Sequence, residues 1–388
     1  MVKIYDLENA PLNARNGRYM GQSGLKEGID FEGKSWLVKY PKTTYGMRNV
    51  DISYTTSPLS EYVGSHIYDI LGYDVHETIL GVRNKKLVVA CKDFCADGKE
   101  LREIRALKNI YNEELAKALE TSLSGTSSDY VVDLEDLYVH LRYNPVLSKM
   151  DGLLERFWDC VVIDILINNN DRNSGNWGLL LDDKGYTIAP VYDNGAAFSN
   201  KISDEKIRDL LKHSEKLEQS ALNTQTTYGW NGKMLFARSM LKLKDSGLDS
   251  ALKRVVPLII NKKDEIERFI EEIPEKAFGL EICSMERKQF MEKSMELRLE
   301  KLLVPALWRV QLRENLRDNG LDSAEESLVE KMVSVSMDRK EIITVERAIE
   351  EYHKGSTWVT GLVTDLVSAE DKAQKKEPVQ DVSWELER

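Results

Sequence analysis

Residues 171–176 read Asp-Arg-Asn-Ser-Gly-Asn, and residues 190–195 read Pro-Val-Tyr-Asp-Asn-Gly. An aspartate, an amide five residues on and a second aspartate beyond one short hairpin make up the set that phosphoryl transfer from Mg-ATP requires. That reaction asks little covalent chemistry of protein groups, so its sites work by positioning the acceptor hydroxyl and neutralising phosphate charge through bound metal. One carboxylate orients or deprotonates the hydroxyl. An amide and a carboxylate hold hard Mg2+ ions that keep part of their own water. Asp171 fits the first role, and Asn176 and Asp193 fit the second.

Those side chains need rigid support. Residues 153–167, Leu-Leu-Glu-Arg-Phe-Trp-Asp-Cys-Val-Val-Ile-Asp-Ile-Leu-Ile, are apolar nearly all round and predict a buried helix. Asn168, Asn169 and Asn170 follow, a residue type that tolerates turns and left-handed backbone, so 171–175 reads as a polar loop leaving the helix end. Residues 177–181 and 186–191 read as strands around a turn at 182–185. Such a hairpin returns Asp193 to the end where Asn176 lies, 17 residues away in sequence. Asp193-Asn194-Gly195 alone describes an ordinary surface turn. Its conjunction with the buried helix and polar loop favours a metal site.

This block resembles the catalytic and metal-binding motifs of the HipA-like serine/threonine kinases, particularly the shorter CtkA-like branch, and more distantly the D-R-H-x-x-N pattern of phosphoinositide kinases. The likeness spans roughly residues 15–270. It implies that Asp171 is the catalytic base, that Asn176 is a metal ligand, and that Asp193 is the metal ligand standing where a protein kinase has the first residue of D-F-G. Many relatives carry His where this chain has Asn173. An amide still forms hydrogen bonds there but does not change charge near neutral pH.

A nucleotide site also needs groups for the triphosphate and adenine. Residues 21–28, Gly-Gln-Ser-Gly-Leu-Lys-Glu-Gly, lie between two extended stretches, and Gly21, Ser23 and Gly24 would let backbone N–H groups approach phosphate. The loop is neither a Walker A nor a G-x-G-x-x-G sequence. Residues 35–40, Ser-Trp-Leu-Val-Lys-Tyr, read as a buried strand carrying one cation. Lys39 is then a phosphate-binding lysine or an edge-strand lysine whose stem reaches solvent. Ser57-Pro58 opens a helix that runs through Val63, Ile67, Ile70 and Leu71 to Gly72. Glu61 on that helix either pairs with the nucleotide lysine or complements the helix dipole, and the kinase resemblance points to the pair. Residues 77–81 and 86–90 read as a hairpin leading to 91–94, where a kinase places the hinge between its lobes. Backbone groups of Ala90 to Lys92 are candidates for adenine, and Asp93 is a candidate for the ribose or for capping the next helix.

The chain has 388 residues, 42% hydrophobic, with a net charge of −11. That length predicts two lobes plus an accessory segment. The acidic balance and the lack of any long Lys/Arg tract predict no direct nucleic-acid partner. Cys91, Cys95, Cys160 and Cys283 form no disulfide framework or paired C-x-x-C zinc spacing. With no hydrophobic N-terminal region and no stretch of membrane-spanning length, a cytoplasmic protein without a membrane partner is expected, unconventional export being left open.

Beyond the hairpin, helices are expected at 204–222, 232–244, 258–272, 281–316 (divided or kinked at Pro305), 323–335 and 339–353. The region 41–57 is rich in hydroxyls open to modification. The segment 224–232 reads as a polar aromatic loop that either contacts an acceptor or packs Tyr228 and Trp230. The expectation is an α+β, bilobal, protein-kinase-like fold: a small sheet-rich N-lobe (1–92), a mostly helical C-lobe (93–275), a C-terminal helical segment (276–370) offering a surface to a protein partner, and a loose tail (371–388). The function expected is Mg-ATP-dependent phosphorylation of a protein serine or threonine, with autophosphorylation. The alternatives are a lipid or small-molecule kinase of the same fold and a nucleotide-binding interaction module without catalysis.

Overall fold

The computed structural model describes residues 1–16, 25–48, 50–95, 97–123, 131–230, 232–321 and 325–374. Gly21, Ser23 and Gly24, and the expected tail beyond residue 374, lie outside them. The chain divides into two compact units, Met1–Leu303 and Val304–Arg388.

In the first unit, β1 (Ile4–Asp6), β2 (Lys26–Phe31), β3 (Lys34–Lys39), β4 (Thr78–Arg83) and β5 (Lys86–Lys92) form one sheet in the order β1-β4-β5-β3-β2. The β1–β4 pair is parallel and the others are antiparallel. Along β3, Trp36 and Val38 turn into a core with Leu7, Ile29, Tyr40, Val88 and Ala90. The period of two therefore puts Lys39 on the opposite face. That face receives α1 (Ser57–Ile70), which packs on β4 and β5. Thr56, rather than Ser57, holds the cap position of α1, with Pro58 in the first turn.

β6 (Glu100–Glu103), α2 (Ile104–Ala118), β7 (Val132–Asp133), α3 (Leu134–Tyr143) and α4 (Leu153–Ile167) follow. α4 is the expected buried helix. It ends at Asn168 in the left-handed conformation, φ +55°, which an amide side chain tolerates and which turns the chain toward Asp171. β8 (Gly178–Asp182) and β9 (Gly185–Ile188) form the expected hairpin, and β6 adds along β8 as a third strand.

Several helical expectations are revised. The helix expected at 204–222 is two, α5 (Asp204–Lys212) and α6 (Ser214–Leu222), because the backbone leaves helical geometry at His213. Where helix was expected at 232–244, the chain forms the second strand of a ribbon, β10 (Gln225–Trp230) and β11 (Lys233–Phe236), and only a short α7 (Ala237–Met240). Thr226, Thr227 and Tyr228 favour a pleated half-buried ribbon, and Gly232 at φ +69° accommodates its turn. α8 (Ser246–Glu271) starts well before residue 258 and carries Pro257 within it. After a small hairpin, β12 (Lys276–Ala277) and β13 (Leu280–Glu281), comes α9 (Met285–Arg298). It packs on α4, α5, α6 and α8, and the first compact unit extends to Leu303. A π turn, Leu299–Leu303, sits just ahead of Pro305, which lacks the N–H that an uninterrupted helix needs there.

The second unit comprises α10 (Val304–Asp318), α11 (Glu326–Arg339), α12 (Val345–His353) and α13 (Thr360–Gln374). Its core joins Leu312, Leu316, Met332, Val333, Ile343 and Leu362. Residues 371–374 continue α13 where a loose tail was expected. Among the described residues, no helix is long and apolar enough to cross a membrane.

Candidate active site

Lys39, the last residue of β3, projects its Nζ between two carboxylates. Glu61 Oε2 from α1 lies at 3.1 Å and Asp193 Oδ1 at 2.9 Å. Glu61 is only 1% exposed and stands beyond the first turn of α1, so it acts as the lysine's partner rather than as a dipole complement. Asp193 adopts φ +60°, a conformation that Asp accepts more readily than most residues. Burial alone would lower the Lys39 ammonium, but Asp193 and Glu61 outweigh it and hold its pKa well above the ordinary value. Burial likewise would raise both acids, yet the ammonium keeps Glu61 and Asp193 below theirs. All three groups are charged at neutral pH.

The loop carrying Asp171 and Asn176 is anchored from beneath by Arg172, which is 3% exposed. Its Nε donates to Asp164 Oδ2 of α4 at 2.9 Å, and its Nη2 donates to Asp164 Oδ1 at 3.0 Å. Nη1 donates to the main-chain oxygen of Asn176 at 3.2 Å and also to that of Tyr192. Nη2 reaches Asn194 Oδ1 as well. One guanidinium therefore joins the backbone at Asn176 to the backbone next to Asp193, which brings the two candidate metal-ligand segments together. Asn169 Nδ2 and the Tyr68 hydroxyl each donate to Asp164 Oδ1 at 3.0 Å, and the Tyr228 hydroxyl donates to the Arg172 carbonyl at 3.1 Å. Tyr228 thus packs structurally, one of the two roles considered for its segment.

Asp171 itself is exposed. Asn173 Nδ2 donates to Asp171 Oδ1 at 2.8 Å. The Asn173 oxygen is fixed in turn, accepting from Arg105 Nη2 at 2.8 Å and from the Gly175 N–H at 2.9 Å. A Cβ on residue 175 would lie 2.7 Å from Arg105 Nη2, so the glycine makes room for that contact. Asn176 commits its Nδ2 to the Asp171 carbonyl, which leaves its Oδ1 as an acceptor.

A second polar path runs behind Lys39. His76 Nε2 is 3.1 Å from Glu61 Oε1 and 3.1 Å from Ser65 Oγ, and Asn194 Nδ2 donates to Ser65 Oγ at 3.0 Å. Since Asn194 also accepts from Arg172, contacts run without a break from Lys39 through Glu61, His76, Ser65 and Asn194 to the loop carrying Asp171 and Asn176. Close packing of α1 on this path needs Gly64, where a Cβ would meet Asn194 Cβ at 2.8 Å.

Ala90, Lys92 and Asp93 lie on and just after β5. Ala90 is buried on β5. The Lys92 ammonium pairs with Glu77 Oε2 at 3.1 Å. Asp93 pairs with Arg15 Nη1 at 3.0 Å and accepts from the Cys95 N–H at 2.8 Å, tying the N-terminal segment to the interlobe strand. Arg172, Asp164, Asn194, Ser65, His76 and Arg105 were missed. Asp164 is the one charge in the apolar stretch 160–167 and needs a partner there, which is its signal in the sequence. The others carry no comparable sequence signal.

A sheet-based lobe and a helical lobe that meet at a Lys–Glu–Asp cluster above an Asp/Asn loop define an ATP-dependent phosphotransferase of the kinase-like class. No family model matches the chain. The serine/threonine-protein kinase CtkA of Helicobacter pylori (strain J99) is 29% identical over 303 residues, 77% of this chain and 86% of the relative. The crystal structure of a Helicobacter pylori proinflammatory kinase CtkA matches with a TM-score of 0.68 and 27% identity, covering 79% of this chain and 98% of that one. In sequence and in fold the chain is similar to these CtkA kinases, and it is a serine/threonine kinase.

Proposed function

We propose that this kinase transfers the γ-phosphate of Mg-ATP to a protein hydroxyl, its own included, with Asp171 as base and Asn176 and Asp193 as metal ligands. The observation that carries the reading is the placement of Lys39 Nζ between Glu61 and Asp193. An amide oxygen and a carboxylate are the hard donors that suit Mg2+. When bound, that ion supplies charge neutralisation for the phosphates. Lys39, kept protonated by its two carboxylates, binds phosphate oxygens. Glu61 holds Lys39 in place. Asp171, oriented by Asn173, accepts the proton of the incoming hydroxyl.

A polypeptide acceptor fits the surroundings. A shallow polar cleft of about 450 Å³ opens beside the loop, lined by Asn168, Asn170, Ser199, Gln219 and Asn223, whose amides and hydroxyl pair with peptide groups. The test is incorporation of labelled γ-phosphate into the protein itself and a general protein acceptor. Asp171→Ala should lower turnover roughly 10²- to 10⁴-fold, the usual contribution of a positioned base, and Asp193→Ala should nearly abolish it. Normal turnover in both variants, with folding intact, would overturn the assignment.

A further inference from the structure

We propose that Glu61, His76 and Cys91 form a site for a thiophilic divalent cation of the Zn2+ class, and that its occupation excludes Mg-ATP from Lys39 and stops phosphoryl transfer. α1, the segment preceding β4, and β5 contribute one residue each. Their donor atoms all lie within 4.8 Å of one another, and all three residues are buried. Carboxylate oxygen, imidazole nitrogen and sulfur suit Zn2+ at about 2.0–2.3 Å, whereas Mg2+ prefers oxygen alone.

The two oxygens of Glu61 are used unequally. Oε2 receives Lys39, while Oε1 faces His76 Nε2 at 3.1 Å and is the carboxylate oxygen turned toward the cluster. With its ring proton on Nδ1, His76 offers the Nε2 lone pair on the same side. Charge also favours occupation. A dication entering as the Cys91 thiol loses its proton to solvent adds one net positive charge beside the Glu61 and Asp193 carboxylates. Burial pushes the Cys91 thiol well up, so the thiolate forms there only with a cation in place. The open side of the cluster is Lys39, 17% exposed. Nucleotide phosphates on Lys39 cover that route, so Mg-ATP and the cation exclude each other.

The inhibitory half rests on the roles proposed above for Lys39 and Glu61; the binding half does not, so the two can fail separately. The full-length protein, reduced and nucleotide-free, is titrated with Cd2+, whose thiolate charge-transfer absorption reports sulfur ligation. One equivalent should bind, with Zn2+ competing. The signal should be lost in Cys91→Ser and kept in Cys95→Ser. Circular dichroism checks folding, and His76→Gln replaces Cys91→Ser if the latter does not fold. A wild-type protein without the absorption, or a folded Cys91→Ser variant with the full signal, overturns the site. Zn2+ should then inhibit phosphate transfer by wild type at a concentration at least about tenfold lower than for Cys91→Ser, since even an outer-layer partner of a metal ligand is worth that much. Equal inhibition of the two overturns the regulatory half.

Discussion

Arg172 and Asp164 form a buried ion pair, Nε to Oδ2 at 2.9 Å, directly under the loop that presents Asp171. The pair fixes backbone rather than substrate, because the same guanidinium holds the carbonyls of Asn176 and Tyr192. The geometry of the loop carrying Asp171 and Asn176 is therefore set from within α4.

Removing one partner of such a pair leaves the other charge buried, which costs about 3–5 kcal/mol. Arg172→Ala should lower the melting temperature by several degrees and abolish phosphate transfer. Arg172→Lys should rescue neither fully, since an ammonium cannot reproduce the planar fork. Thermal melts and transfer assays check both. A folded Arg172→Ala protein with wild-type melting would contradict this account.

The Lys39–Glu61–Asp193 cluster carries a pH signature. Glu61 is depressed in the fold below its ordinary 4.5, so its contribution is complete above that value and is lost as pH falls through the lower folded value. Lys39 is raised above 10.5, so its contribution is complete below that value and is lost as pH rises through the higher folded one. The stability gap between wild type and Glu61→Gln should thus narrow as pH falls below 4.5. Denaturant melts across pH measure it, and a gap that widens on acidification would refute the assignment.

Asn173 is clamped by Arg105 so that its NH2 group faces Asp171. Arg105→Ala and Asn173→Ala should each lower kcat, by up to about 10²-fold for a misplacement near 1 Å, with little change in KM for ATP. Asn173→His should introduce a titration near pH 6.5 into the kcat profile, absent from wild type. Steady-state kinetics over pH resolves this.

Gly64→Ala sets two effects against each other. Helix propensity favours alanine by about 1 kcal/mol, but the new Cβ would meet Asn194 Cβ at 2.8 Å. Asn194 is held at both ends, by Ser65 and Arg172, and cannot retreat. Overpacking at about 1–3 kcal/mol should win. A net loss of stability with reduced transfer is expected, measured by melting and activity.

Much of this site was legible in the sequence because its chemistry sits on local patterns: an apolar helix, an Asn stop, an Asp/Asn loop and a two-residue-period hairpin. Lys39 stood out as a cation in an apolar strand. Arg105 and His76 did not, because they act across sequence distances that periodicity cannot read. Arg105 reaches a residue 68 positions away. The ribbon at 225–236 was misread for a related reason: its strand pairing with β7, at Tyr228↔Val132, lies outside any local window. The extent of the first unit depends on α9 packing against α4, a tertiary contact that no local pattern carries.

The central claim is that Asn176 and Asp193 bind the metal that accompanies ATP. Calorimetric titration with a non-hydrolysable ATP analogue, with and without Mg2+, tests it directly. Wild type should bind more tightly with Mg2+, and Asp193→Asn and Asn176→Ala should lose most of that gain. Full retention of the Mg2+ effect in both folded variants would contradict the assignment.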